Sequence, residues 1–140
     1  MTIEEKKNYL KRYKRARHKI DVLQTEIDNL LLMALPGGID YSKDKIQTSP
    51  SNDQMINYVI KVEELTEQIN KLKEESLDVC QNIIETITSI KNDTYQTVLH
   101  RRYILMQSWE EISVGMHYST QRLYELHCEA LAEMNIQTTE

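Results

Sequence analysis

The sequence predicts an all-α protein, in which a long antiparallel helical hairpin with coiled-coil-like packing precedes a C-terminal trihelical helix-turn-helix unit. The 140 residues include no Phe, three Gly and two Pro, too few turn formers for a sandwich or barrel of short strands. Apolar residues recur at alternating steps of three and four over two long stretches, and shorter capped segments follow them. We expect the hairpin over 1–92, the trihelical unit over 93–136 and a tail over 137–140.

The composition argues against several classes of protein. Neither a G-x-G-x-x-G nor a G-x-x-x-x-G-K-[ST] motif is present, which argues against a Rossmann or P-loop enzyme. The longest apolar run, Leu30 to Leu35, is far shorter than the ~20 residues of a bilayer span, and no apolar stretch follows the charged N-terminus as in a signal peptide. Cys80 and Cys128 lack disulfide or zinc spacing. We expect a soluble cytoplasmic protein that is not an enzyme, with no catalytic residues, cofactor, metal site or membrane association.

The first predicted element is one long helix. Thr2 is a candidate N-cap, with Glu5 as its capping-box partner. Pro36-Gly37-Gly38 ends the helix, and the polar stretch that follows predicts a loop over 36–52. The apolar positions keep heptad spacing for more than three repeats, at Tyr9, Tyr13, Ala16, Ile20, Leu23, Ile27, Leu30 and Ala34.

A second long helix is predicted to open near Ser51. A second apolar stripe, Leu77, Cys80, Ile84 and Ile87, appears late in it, so the helix is expected to face two partners there. The free edge of such a hairpin favours a homodimer through the long helices, although one chain could also fill the seam alone. The main seam consists of Met55, Tyr58, Val62, Leu65, Ile69, Leu72, Ser76, Val79, Ile83, Thr86 and Ile90.

The last third of the chain predicts three shorter helices. Asn92 or Asp93 caps a helix to about Met106, Ser108 with Glu111 opens one that ends near Met116, and Ser119 opens one to about Met134. Two short, freshly capped helices joined by a tight turn are typical of a helix-turn-helix, although an ordinary helical hairpin has the same pattern. Tyr118 is expected to fill the turn, Ser113 to allow close approach and Trp109 to anchor the core. The expected core consists of Leu99, Tyr103, Ile112, Met116, Leu123 and Leu126.

These segments resemble region four of a bacterial sigma factor. The resemblance lies in Leu99-His100-Arg101-Arg102-Tyr103, Ser108-Trp109-Glu110-Glu111-Ile112, Met116-His117-Tyr118-Ser119, and Leu126-His127 through Ala130-Leu131. Nearly the whole chain, including the Lys45-Ile46-Gln47-Thr48-Ser49 stretch, is similar to small bacteriophage proteins related to the RinA and ArpU transcriptional regulators. The resemblance implies a phage or prophage regulator. Glycine is usual in that family at the positions of Met106 and His117, so His117 must adopt a left-handed conformation or change the turn.

The resemblance implies that the final helix lies in the major groove of double-stranded DNA. Its exposed early residues, Thr120, Gln121, Tyr124 and Glu125, are the candidate base contacts. A Gln side chain pairs well with adenine, and a Glu side chain accepts from the cytosine amine. The candidate phosphate contacts are Arg101, Arg102, Ser108, Ser119 and Arg122.

The charge distribution leaves two functional hypotheses open. The net charge is -5, yet eight of the 17 Lys and Arg residues lie between Lys6 and Lys19, whereas the last third is acidic. DNA binding by a monomeric tail of this charge is expected to be weak, so dimerisation and a basic surface would have to contribute. The alternative is a protein-interaction module or inhibitor that binds a host or phage protein such as RNA polymerase or a defence component. The candidate auxiliary basic surface is Lys11, Arg12, Lys14, Arg15 and Lys19.

Overall fold

The computed structural model describes residues 1–34 and 52–136, and all regular structure within them is helical. This confirms the all-α prediction for these residues. None of the described helices has the length and apolar content that crossing a bilayer requires. The predicted tail 137–140 and the predicted loop 36–52, except Asn52, lie outside the described residues. The helices are α1 (Ile3–Leu10), α2 (Arg12–Ala34), α3 (Asn52–Thr88), α4 (Asp93–Leu99), α5 (Trp109–Met116) and α6 (Thr120–Glu133), with a π-helical turn at His100–Ile104.

The N-terminal cap is the predicted capping box. The Thr2 hydroxyl accepts a hydrogen bond from the Glu5 amide at 3.2 Å, and the Glu5 carboxylate accepts one from the Thr2 amide at 2.9 Å. The single helix expected after it is divided at Lys11, which separates α1 from α2. The Lys11 amide still donates to the Lys7 carbonyl, and the Arg15 amide donates to the Lys11 carbonyl. The chain therefore continues in the helical direction through a local irregularity.

The contacts divide the chain into two compact units, which do not coincide with sequence order. One unit contains residues 1–17 and 75–140, and the other contains residues 18–74. The first of these units joins segments that are distant in sequence, because α1 contacts α6. The boundary at residue 92 marks the change of sequence pattern and stays a prediction.

In the unit of residues 18–74, α2 and α3 pack through the predicted heptad positions. Ile20 and Ile27 of α2 form a buried cluster with Leu65 and Ile69 of α3. This cluster shows that the alternating steps identify the buried face of both helices in this unit. Partly buried neighbours surround it at Leu23, Leu30, Val62 and Leu72.

The unit of residues 1–17 and 75–140 has two buried clusters. The larger joins α1 and the end of α3 to α4, the π-helical turn and α6, and it includes Leu10, Ile83, Ile87, Leu99, Tyr103, Ala130, Leu131 and Met134. The smaller joins α4, α5 and α6 through Val98, Ile112, Leu123 and Leu126.

Two features of this unit differ from the sequence-based expectation. Leu77 was expected to begin a second apolar stripe, but its side chain is 66 % exposed. The second buried face of α3 lies nearer its C-terminal end, where Ile87 packs in the larger cluster. Leu10 lies off the heptad seam and is nevertheless fully buried, because α1 packs against α6 as well as α3.

Candidate nucleic-acid interface

The helix that carries Arg101 and Arg102 does not continue as an α-helix to Met106. Asn92 is its cap and accepts hydrogen bonds from the Thr94 and Tyr95 amides. After Leu99 the backbone becomes π-helical, and the Leu105 amide donates to the His100 carbonyl. Short π-helical turns are frequent at functional sites, where they re-orient side chains. Here the turn contains both candidate phosphate-binding arginines.

Local hydrogen bonds cap the N-termini of α5 and α6, on either side of the turn that joins the two helices. The Ser108 hydroxyl accepts from the Glu111 amide at 3.2 Å, and the Ser119 hydroxyl accepts from the Arg122 amide at 3.1 Å. His117 adopts the left-handed conformation (φ 62, ψ 36), which is one of the two alternatives that the sequence left open. Met106 also has a positive φ of 55. Both residues that replace the glycines of sigma-like sequences therefore have a positive φ.

At this turn, Ser113 makes a contact beyond the predicted one, and the Tyr118 side chain lies outside the position predicted for it. The Ser113 hydroxyl donates a hydrogen bond to the Tyr118 carbonyl at 2.5 Å, so Ser113 contributes a cross-turn bond as well as a small side chain. The Tyr118 side chain is exposed and does not fill the turn. The backbone of Tyr118, rather than its ring, therefore closes the connection.

Helix α6 separates its buried and exposed residues clearly. Its buried face includes Leu123, Leu126, Ala130 and Leu131. The four candidate base contacts are all exposed and lie in the first two turns. Tyr124 also packs edge-on against Trp109, with ring centroids 5.2 Å apart. The exposed residues of these two turns are Thr120, Gln121, Arg122, Tyr124 and Glu125.

Two of the candidate contacts form an ion pair with each other. Arg122 donates a hydrogen bond to the Glu125 carboxylate at 2.9 Å, and the Glu129 carboxylate lies 3.6 Å from the same guanidinium nitrogen. The hydrogen bond with Glu125 raises the pKa of Arg122. Exposed ion pairs contribute little to stability, so a ligand can exchange for one member at low cost. In the structure, Glu125 and Glu129 of the same helix balance the positive charge of Arg122.

Arg101 and Arg102 are half-buried and brace the turn before α5. Arg102 donates to the Gln107 carbonyl at 3.0 Å, and its guanidinium lies 4.7 Å from the centre of the Trp109 ring. Arg101 donates to the Gln107 side chain at 3.4 Å. A Cβ atom at Gly115 would clash with the Arg101 guanidinium, so the glycine allows this arginine to lie against α5. Both arginines therefore combine a structural role with partial exposure.

A buried polar cluster beneath this surface was not identified from the sequence. His127 and the hydroxyl of Tyr103 are hydrogen-bonded at 2.7 Å, and Trp109 packs edge-on against the imidazole at 5.0 Å. Burial, together with the nearby positive charges of Lys7, Arg102 and Lys11, lowers the pKa of His127 to about 4. Burial raises the pKa of Tyr103 to about 12.

The sequence did contain a signal for this cluster. Positions 123, 126, 127 and 130 follow the spacing of one helix face, which places His127 among apolar core residues. The histidine is therefore a neutral member of the core that supports the exposed face of α6.

The predicted auxiliary basic surface divides into residues with and without internal partners. Arg12 stacks on the Tyr9 ring and donates to the Asn82 side chain at 2.8 Å, and Arg15 donates to the Asn8 carbonyl at 2.9 Å. Lys11 and Lys14 are exposed, and neither ammonium group has an ion pair or hydrogen bond within 1–34 and 52–136. Lys19 is also exposed and belongs to the unit of residues 18–74.

Neither metal ligation nor similarity to a known protein assigns a function. No group of three or more His, Cys, Asp or Glu side chains could hold a metal ion among the residues that the structure describes. Comparisons with protein-family models, curated proteins and solved structures find no significant match to this chain.

Proposed function

We propose that this protein is a transcriptional regulator of phage or prophage origin that binds promoter or operator DNA in the bacterial cytoplasm. In this proposal α5 and α6 are the two helices of a sigma-like helix-turn-helix. One observation carries it: the first two turns of α6 expose polar side chains, while the opposite face of α6 packs in a buried apolar cluster with α4 and α5. A recognition helix needs this combination of a rigid support and free hydrogen-bonding groups at its N-terminal end.

The proposed contacts follow from the chemistry of each exposed group. The Gln121 amide would bind adenine, and Glu125 would accept from cytosine once Arg122 has exchanged its carboxylate partner for a phosphate. Ser108 and Ser119 lie at helix N-termini, where backbone amides and hydroxyls favour phosphate oxygens. Thr120 and Tyr124 complete the exposed set.

We further propose that the protein acts as a homodimer formed through its long helices. A two-fold dimer would present two copies of α6 to two half-sites one helical turn apart. Two copies would also double the number of phosphate contacts, which compensates for the low positive charge of each tail. In this scheme the bound dimer also contacts host RNA polymerase.

A matched pair of variants on α6 tests the proposal. Gln121→Ala removes the proposed base contact, whereas Cys128→Ser changes an exposed residue on the same face two turns later. On a DNA site selected with the wild-type protein, we expect Gln121→Ala to weaken binding by about 1–3 kcal/mol and to relax preference at one base pair. Cys128→Ser should bind like wild type in the same fluorescence anisotropy titration. Equal behaviour of the two variants would contradict this placement of α6.

The acidity of α6 favours a second candidate, a protein-interaction module. Arg122 is paired with Glu125 and Glu129, and Glu133 adds a further exposed carboxylate. Such a face complements a basic protein surface, for example on host RNA polymerase. Binding of purified host polymerase that Glu129→Gln/Glu133→Gln weakens, with no binding to DNA at low salt, would select this function over the first.

A further inference from the structure

Two lysines of the N-terminal segment and one arginine of the C-terminal unit share a single concavity. Lys11, Lys14 and Arg102 line it together with Tyr103 and Met106, and its volume is about 50 Å³. All five residues belong to the compact unit of residues 1–17 and 75–140. We call this concavity the basic notch.

The charge in the basic notch is not neutralised from within the described residues. No acidic side chain lines the notch. Lys11 and Lys14 have no ion pair there, and Arg102 uses one nitrogen on a backbone carbonyl and its face on Trp109. Glu4, the nearby acid that acts on Tyr103, lies 3.6 Å from the ammonium of Lys7. Three cations with no matching acid leave a site that favours an anion.

We propose that the basic notch binds one phosphate of the DNA backbone, beside the contacts made by the helix-turn-helix. This inference rests on the proposed function and adds to it a contact from the N-terminal segment of the same chain.

The position of the basic notch favours a DNA phosphate over other anions. Met106 lines the notch and lies two residues before Ser108, the cap of α5 and a proposed phosphate contact. Arg102 connects the notch to the N-terminus of α5, because it lines the notch and its guanidinium packs on the Trp109 ring. On α6 itself the charge of Arg122 is balanced by Glu125 and Glu129. The basic notch therefore offers unpaired positive charge to a DNA phosphate. Helix α6 offers little, because its Arg122 is already paired.

The salt dependence of DNA binding tests this contact directly. Neutralising one phosphate changes the slope of log K against log salt by about 0.9 in B-DNA. We expect Lys11→Ala/Lys14→Ala to reduce the magnitude of the wild-type slope by at least about 0.9, with the same loss on specific and unrelated sequences.

Two controls separate this effect from a general change of charge or of folding. Lys71→Ala/Lys73→Ala removes two exposed lysines from the unit of residues 18–74 and should keep the wild-type slope. Lys11→Arg/Lys14→Arg keeps the charge of the notch and should also keep the slope. Circular dichroism melting curves confirm that each variant is folded before its slope is measured.

The outcomes distinguish this inference from the proposed function. If the wild type binds DNA and Lys11→Ala/Lys14→Ala keeps its slope, the notch does not bind a backbone phosphate, although the proposed function stands. A slope that falls equally in the Lys71→Ala/Lys73→Ala control also overturns the inference. If the wild type binds no DNA at low salt, the proposed function fails, and the inference fails with it.

Discussion

His127 links the stability of the protein to pH, because its imidazole is buried in neutral form. Its pKa in the folded protein is about 4, below the value of 6.5 in an unfolded chain. Above pH 6.5 both states are neutral and stability is at its full value. As the pH falls from 6.5 to 4, the unfolded state takes up a proton first, and we expect a loss of about 3 kcal/mol from this residue.

Urea unfolding of wild type and His127→Gln at pH 7 and pH 4 isolates this effect. The carboxylates titrate in both proteins, so only the difference between the two pH responses reports on His127. We expect His127→Gln to lower the free energy of unfolding at pH 7, because the hydrogen bond to Tyr103 is lost. The variant should then lose less of its unfolding free energy than wild type when the pH falls to 4. Parallel pH responses would show that His127 is not buried in neutral form.

His117, like Met106, is a non-glycine residue at positive φ, where a side chain strains the backbone. A non-glycine residue in the left-handed region costs about 1 kcal/mol relative to glycine. We therefore expect His117→Gly to raise the free energy of unfolding by about 1 kcal/mol in chemical denaturation. Val114→Gly, in the exposed middle of α5, should lower it by about 0.5 kcal/mol, since glycine is a poor helix former. A destabilising His117→Gly would refute this explanation of the turn.

At the scale of elements, the caps and seams were predictable from sequence because they are local. Thr2, Ser108 and Ser119 cap their helices through residues three positions away, and the heptad steps identify buried positions such as Ile20 and Leu65. The irregularity at Lys11 and the π-helical turn have no such local sequence pattern; they follow α1 and α4, the two helices that contact α6.

The trihelical region depends on α5 being anchored by a single fully buried side chain. Ile112 is at the centre of the smaller cluster, with Val98 and Leu123 around it. We expect Ile112→Ala to lower the free energy of unfolding by about 2–5 kcal/mol through lost burial and a residual cavity. Val114→Ala, at a position 76 % exposed, should change it by less than about 0.5 kcal/mol. Similar effects of the two changes would contradict the assignment of the buried face of α5.

At the scale of the molecule, the candidate site was only partly predictable. The exposure of Gln121 and its neighbours follows from the helix period, and the Arg122–Glu125 pair follows from an (i, i+3) spacing. The proximity of Lys11 and Lys14 to Arg102 does not follow from a local pattern, because it depends on how the N-terminal segment packs against the π-helical turn. Segments about 90 residues apart are brought together by tertiary contacts that no local pattern encodes.

The proposed dimer is testable at exposed apolar residues of the unit of residues 18–74. Leu31 and Val59 line an apolar concavity of about 230 Å³, and both side chains are about half exposed. Exposed apolar patches of this kind commonly mark interfaces. We expect a dimeric mass by light scattering, and a monomeric mass for Leu31→Lys/Val59→Lys.

A matched control separates the interface from the added charge. Leu77→Lys changes a comparably exposed leucine in the other unit and should remain dimeric. A monomeric wild type, or an equal effect of Leu77→Lys, would contradict a dimer through this part of the long helices.

Sequence-selective binding of this protein to DNA is measured by a mobility shift. Purified protein is mixed with fragments of the genome that encodes it, at low and at moderate salt. We predict that a minority of fragments shifts, and that the shift weakens steeply between about 50 and 200 mM salt as counterions compete for the phosphates. No shift at micromolar protein, or a shift that is equal for all fragments, would contradict sequence-selective DNA binding.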